Sequence, residues 1–143
     1  MNKRELEFRK WLTRAMAGVW FPTIHVENHL NPGVPDLSFV MKPLPARTFE
    51  TGWLELKAME LSKTLKITVE PGQHSWMEAH ASLIPAYFLI EVSGKLYLVH
   101  GSRHGILLDP ITPAALADIS VIVAHQSDTS ALAAALRDVT RRS

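Results

Sequence analysis

Asp36, Glu55, Lys57 and Gln73 are the residues whose types and spacing could do chemistry in this sequence. Asp36 closes the run Gly33-Val34-Pro35-Asp36, eighteen residues separate it from Glu55-Leu56-Lys57, and Gln73 follows later. Side chains alternate along a strand, so Glu55 and Lys57 share one face while Leu54, Leu56 and Ala58 point to the other, apolar one. Asp36, opening the neighbouring strand just after the turn at Pro32 to Pro35, can then bring its carboxylate to that of Glu55 at a sheet edge. Two carboxylates so placed repel and desolvate each other. A divalent cation removes that penalty, and hard oxygen ligands with open positions suit magnesium or manganese. Such an ion lowers the pKa of a bound water, polarises a phosphodiester oxygen and stabilises the departing alkoxide, while Lys57 orients the water or neutralises developing charge. The competing reading is plainer: Asp36 a turn residue, Glu55 and Lys57 a solvated cross-strand pair, and Gln73 a helix-start residue.

These side chains need elements to hold them. Apolar residues at Phe8, Leu12, Ala15, Met16 and Val19 have helical spacing, which predicts a helix over about residues 3–18, ended by Pro22. Thr23 to Glu27 reads as a short strand, Asn28 to Pro35 as a turn, Asp36 to Met41 as a strand, Lys42 to Gly52 as a loop and Trp53 to Ala58 as another strand, together an antiparallel meander. Thr64 to Val69 reads as a further strand or extended arm. Gln73 to Leu83 is helical, with Trp76, His80 and Leu83 on one stripe, and Tyr87 to Val92 and Lys95 to His100 flank Ser93-Gly94 as a hairpin. Beyond it come a short strand near Ile106 to Leu108, a strand over Ile119 to Ala124, and a terminal helix from about Asp128.

Asp followed by Glu-x-Lys on the next strand resembles the active site of the PD-(D/E)XK nuclease superfamily. The spelling Gly33-Val34-Pro35-Asp36, Trp53-Leu54-Glu55-Leu56-Lys57 and Gln73-His74-Ser75-Trp76 is similar to VRR-NUC domains, in particular small stand-alone ones of the kind found in phages. The resemblance runs from about Glu5 to Val92. It implies an α/β fold with an αβββαβ core and mixed sheet, to which the C-terminal segment adds a hairpin, strand and helix. It implies that Asp36, Glu55 and the Leu56 carbonyl hold metal, that Lys57 is catalytic, and that Gln73 assists near the phosphate. Many members also carry a glutamate on the first helix; at about 100° per residue Glu5 shares the stripe of Phe8, Leu12 and Met16, whereas Glu7 points away. From the same resemblance the expected substrate is DNA, branched as for a Holliday-junction resolvase. Symmetric incision of a four-way junction needs two active sites, hence a homodimer, for which the hairpin Tyr87 to His100 and the terminal helix Ser130 to Val139 offer apolar surface. The alternatives are a nonspecific DNA or RNA nuclease, or a nucleic-acid-binding or assembly protein on a nuclease-like fold.

Other residues carry weaker signals. His29 lies in the turn before Asp36 and, among the scattered histidines, is the one expected to approach the active site and bind substrate; Lys63 and Lys66 on the arm are natural phosphate contacts. Glu27 is a candidate outer carboxylate of the metal site. His74 and Glu78 share a helical face at i, i+4, but without a third ligand in register they make no zinc site. Trp11, Met16, Trp76 and Phe88 read as core, with base stacking the alternative, and Trp53, on the face of Glu55, as a packing residue, with substrate contact the alternative. The 143 residues, 47% hydrophobic and 20% charged, suit one domain with a core of about residues 3–100 and an extension beyond. No cysteine is present, which removes disulfides, thiolate metal sites and a cysteine nucleophile. A net charge of +1 leaves nucleic-acid affinity to local patches. No apolar run reaches membrane-spanning length, and the charged start lacks the apolar middle of a signal peptide, so a cytoplasmic location is expected, the host's if the chain is phage-encoded.

Overall fold

The computed structural model describes residues 2–26, 33–42 and 50–141. The chain is α/β. Helix α1 (Lys3–Ala15) leads into strands β1 (Trp20–Ile24), β2 (Leu37–Met41) and β3 (Glu50–Met59). Helix α2 (Pro71–His80) follows, then β4 (Ala86–Val92), β5 (Lys95–His100), a 3-10 helix (Gly101–Leu108), α3 (Pro113–Ile119), β6 (Ile122–His125) and α4 (Thr129–Arg141). The six strands form one sheet in chain order, and every neighbouring pair is antiparallel except β3 with β4. The parallel pair follows from its connection, because the β3-to-β4 crossover carries α2 and returns the chain in the same direction. The expected αβββαβ order is present, and so is the mixed sheet.

Alternation along the strands divides the core in two. Leu37, Phe39 and Met41 of β2, Leu54 and Leu56 of β3, and Leu96 and Leu98 of β5 pack against Phe8, Leu12 and Met16 of α1 and Leu132, Leu136 and Val139 of α4. On the other face Phe88 and Ile90 of β4, with Tyr97 and Val99 of β5, pack with Met77 of α2, Leu107 of the 3-10 helix and Leu116 of α3. The segment beyond residue 100 thus adds an edge strand and lays α4 on the same core as α1. Arg137 of α4 donates to the Lys42 carbonyl at the end of β2, 2.7 Å. The apolar hairpin and terminal helix expected to form a dimer surface are consumed here. β4 is buried throughout, and the apolar stripe of α4 faces the chain's own sheet.

Several boundaries differ from the sequence reading. The first helix stops at Ala15, and β1 runs over 20–24 instead of 23–27. Pro22 does not interrupt it, because β1 is the sheet's edge and an edge strand tolerates a missing N–H. Strand β3 starts at Glu50 within the expected loop, and α2 ends at His80, leaving Leu83 exposed. The arm 64–69 is no strand; Leu65 alone bridges Ile111. Residues 106–108 close a 3-10 helix instead of forming a strand, its start capped by the His100 ring accepting from Ser102 N–H. Helix α3 was not foreseen. Thr112 caps it by accepting from Ala115 N–H, and Pro113 opens it, so the last strand begins only at Ile122. Among the described residues no helix is long and apolar enough to cross a membrane.

Candidate active site

Strand β3 outruns β2. Their last paired residues are Leu37 and Leu54, so from Glu55 to Met59 β3 has β4 on one side and, among the described residues, no strand on the other. Trp53 N–H donates to Pro85 and Met59 C=O accepts from Ser93, which turns the main-chain groups of the odd-numbered residues toward the β4 side. Those of Leu56 and Ala58 therefore face the open edge. Asp36, the residue before β2, meets this edge with its side chain where a further strand residue would have used its backbone. Its Oδ2 accepts from Leu56 N–H at 2.7 Å, and its own N–H donates to Glu55 Oε1 at 3.2 Å. The Leu56 carbonyl lies on the same side of the strand as that N–H.

Gly33 sets the approach of Asp36. Its φ is +80°, and a Cβ there would stand 2.0 Å from the Gly72 carbonyl oxygen, so the turn packs directly on the start of α2. That start carries Gln73, which is buried and bridges the site. Its Nε2 donates to Glu55 Oε2 at 2.8 Å, and its Oε1 accepts from Lys57 Nζ at 3.0 Å and from Glu70 N–H at 2.9 Å. Lys57 Nζ stands 3.3 Å from Glu55 Oε2. Glu55 and Lys57 are 3% and 7% exposed, so they are not a solvated surface pair.

Burial dominates the electrostatics. It pushes the Glu55 carboxyl up to about 8, with the neighbouring Asp36 charge adding to the rise and Lys57 opposing it. Asp36 is also raised, by burial first, against the hydrogen bond from Leu56 and the charge of Lys57. The two acids thus hold a proton between them near neutrality, a position that a divalent cation is chemically suited to take.

A cleft of about 760 Å³ opens over this edge, lined by Asp36, Glu55, Leu56, Lys57 and Gln73 and by Asn2, Glu5, Lys66, Thr68 and Glu70, among others. Four carboxylates against two ammonium groups make it a poor host for a bare phosphodiester and a good one for a cation. Among the described residues no three His, Asp or Glu side chains converge as a metal cluster. The available donors are two carboxylates and the Leu56 carbonyl, a set that fits magnesium or manganese, which keep several waters and take few protein oxygens.

Glu5 lines the cleft and raises Asp36 through its charge, while its Oε1 also accepts from Asn2 N–H, 3.3 Å, in the capping box of α1. Glu7 is exposed and pairs with Lys10 at 3.9 Å. Lys66 lines the cleft; Lys63 is exposed and stands apart from it. His29 and Glu27 lie outside the described residues. Sequence reasoning missed Asn2, Thr68 and Glu70, of which Glu70 had a signal in the helix-opening run Glu70-Pro71-Gly72-Gln73. It also missed His104, which the fold brings to His74 (Nδ1 to Nδ1, 2.9 Å) and to Glu78 (Nε2 to Oε2, 2.7 Å). No local spacing links the 3-10 helix to α2. No family model, curated protein or solved structure matches the chain.

Proposed function

We propose that this chain is a magnesium-dependent DNA endonuclease, of the PD-(D/E)XK kind that its motifs resemble, acting on branched DNA as a homodimer, with manganese able to substitute. The observation that carries the reading is the buried circuit Glu55, Gln73 and Lys57, with half-buried Asp36 joined to Glu55, at an open strand edge in a cleft whose carboxylates outnumber its cations. A structural ion pair needs no such cleft, and a simple phosphate-binding patch would not bury Glu55 beside a second, half-buried acid.

Asp36, Glu55 and the Leu56 carbonyl would hold the cation, which when bound supplies Lewis acidity to the phosphodiester and makes water a competent nucleophile. The chain's own groups do the positioning. Leu56 N–H fixes the Asp36 carboxylate, and Gln73 fixes Glu55 and Lys57 relative to each other, so neither must reorganise as charge develops. Lys57 carries the single ammonium inside this circuit. It orients the attacking water and offsets the negative charge that grows on the phosphoryl oxygens.

The test is incubation of purified protein with supercoiled plasmid, single-stranded DNA and a four-way junction, each with magnesium, manganese or chelator. Metal-dependent cleavage favouring the junction is expected, lost in Asp36→Asn and Glu55→Gln while their fold and DNA binding persist. Full activity in either variant removes the site assignment. A light-scattering mass of one chain, with the strands of a junction nicked independently, removes the homodimer and the resolvase-like reading but leaves the hydrolytic chemistry in place.

A further inference from the structure

The face of the sheet that carries Glu55 and Lys57 continues, away from α2, onto β1 and β2, where its described residues are exposed or half-buried. β1 is exposed from Phe21 to Ile24, whereas the residue before, Trp20, is buried in the other face. Alternation therefore puts Phe21, Thr23 and His25 on the side of Ser38, Val40 and Trp53, the side of Glu55. Three aromatic rings stand on it. Phe21 is 53% exposed, with Lys42 Nζ 5.1 Å from its ring centroid. The His25 ring is fastened by Nε2 to Ser38 Oγ at 2.8 Å and lies over Trp53 with centroids 5.0 Å apart and planes 23° apart. Trp53 in turn touches Trp76 of α2 at 5.4 Å, and Trp76 stacks on His80 at 4.1 Å. His25, Trp53, Trp76 and His80 are all half-buried, so each ring of the row keeps part of its surface exposed.

We propose that this face is a stacking surface for unpaired bases of the strand being cut. The inference rests on the nuclease reading and names the state of its substrate: splayed or single-stranded nucleotides beside the scissile phosphate. Continuity with the cleft is the first support. Trp53 and Glu55 are two residues apart on one strand face, about 7 Å, the span of a single extended nucleotide, so a base meeting the exposed part of the stacked His25–Trp53 pair belongs to the nucleotide next to the phosphate at Glu55. Charge is the second. Among the described residues 20–26 and 33–42 the only acid is Asp36 itself, and Lys42 stands over the Phe21 ring. Among the described residues of this face a polyanion meets no carboxylate before those of the cleft, which the metal would neutralise. A base offers a π-face to any exposed ring whatever its sequence, which accords with the absence of a base-reading module. A duplex keeps its bases stacked inside and cannot use the surface.

The experiment measures binding in chelator, where no cleavage occurs, so that it is independent of catalysis. Fluorescein-labelled single-stranded DNA of about 12 nucleotides and a duplex of the same length are titrated with protein, followed by anisotropy and by tryptophan emission. Tighter binding of the single strand, with quenching that disappears in Trp53→Phe although binding is largely kept, is expected. Phe21→Ala and Trp53→Ala should each weaken the single strand by roughly tenfold and leave the duplex unchanged. Phe21 is exposed enough that its removal cannot unfold the chain, so it decides the matter if Trp53→Ala does not fold. Equal affinity for the two DNAs without quenching, or unchanged binding in Phe21→Ala, overturns the proposal. Single-strand binding with quenching but no cleavage in magnesium would keep the stacking surface and remove the nuclease reading. Cleavage by a chain whose tryptophans sense no single strand would do the reverse.

Discussion

Glu55 is the residue on which the electrostatics of the cleft turn. Its carboxyl is pushed from 4.5 up to about 8 by burial and then by Asp36. The folded chain therefore keeps a proton that the unfolded chain releases, and the stability this confers is complete below pH 4.5 and is lost as the pH rises toward 8. Asp36 is shifted the same way and adds to the slope. His74 is lowered, by burial first and then by His104 and Lys57, so its contribution is lost only as the pH falls below 6.5. Melting temperatures in chelator should thus drop between pH 6.5 and 8 in the parent and stay nearly flat in Glu55→Gln, which should melt above the parent at the upper end. Parallel curves would contradict the buried pair. Lys57 has a different signature. A group that stabilises mainly the transition state is read in the rate, so Lys57→Ala should lower single-turnover cleavage by roughly 100-fold or more with little change in DNA affinity. Lys57→Arg should also be impaired, since the planar fork cannot occupy the compact position between Glu55 and Gln73. A normal rate in Lys57→Ala would exclude its role.

The turn before β2 and the start of α2 act together, because Gly33 lies directly on Gly72. Gly33→Ala puts a Cβ against that backbone at a φ of +80° and should cost on the order of 3 kcal/mol. Gly18→Ala, with nothing within 4 Å and no positive φ, is the matched control and should be near neutral. Urea unfolding of the two variants separates them; similar midpoints would mean that the turn can shift away from α2. Strands β2 to β5 are legible because their apolar runs and Ser93-Gly94 agree with the fold around them, and Gly33 sits in a turn as expected, whereas residues 28–32 of that turn lie outside the described residues. Strand β1 was misplaced because Pro22 reads as a breaker until the strand is known to be an edge. Helix α3 was missed because it is one short element whose signal is a single Thr-Pro cap. Ile106 to Leu108 read as a strand from sequence because they are apolar whatever their backbone does, and the 3-10 conformation leaves no such mark.

At the scale of the molecule, α4 and the β4–β5 hairpin complete the core, so their apolar residues answer to folding. Leu136→Ala, at a fully buried position, should destabilise by roughly 2–5 kcal/mol without changing the mass seen by light scattering at temperatures where the variant is folded. A change in mass with stability intact would restore α4 as an interface. The chemical centre was readable because its residues sit within one meander and one helix start, whereas Thr68 and the pairing of His74 with His104 depend on chain segments whose meeting no local pattern encodes. The strand overhang beside Leu56 has one more consequence. A bare strand edge is a template for addition of another chain, and natural sheets protect such edges with charge. Asp36 occupies the Leu56 N–H that an incoming strand would seek, and Glu55 and Lys57 flank it, so the residues of the cleft also guard against aggregation. Asp36→Ala held below its melting temperature should grow turbid faster than Lys57→Ala at equal concentration, and equal rates would show that the edge needs no such guard.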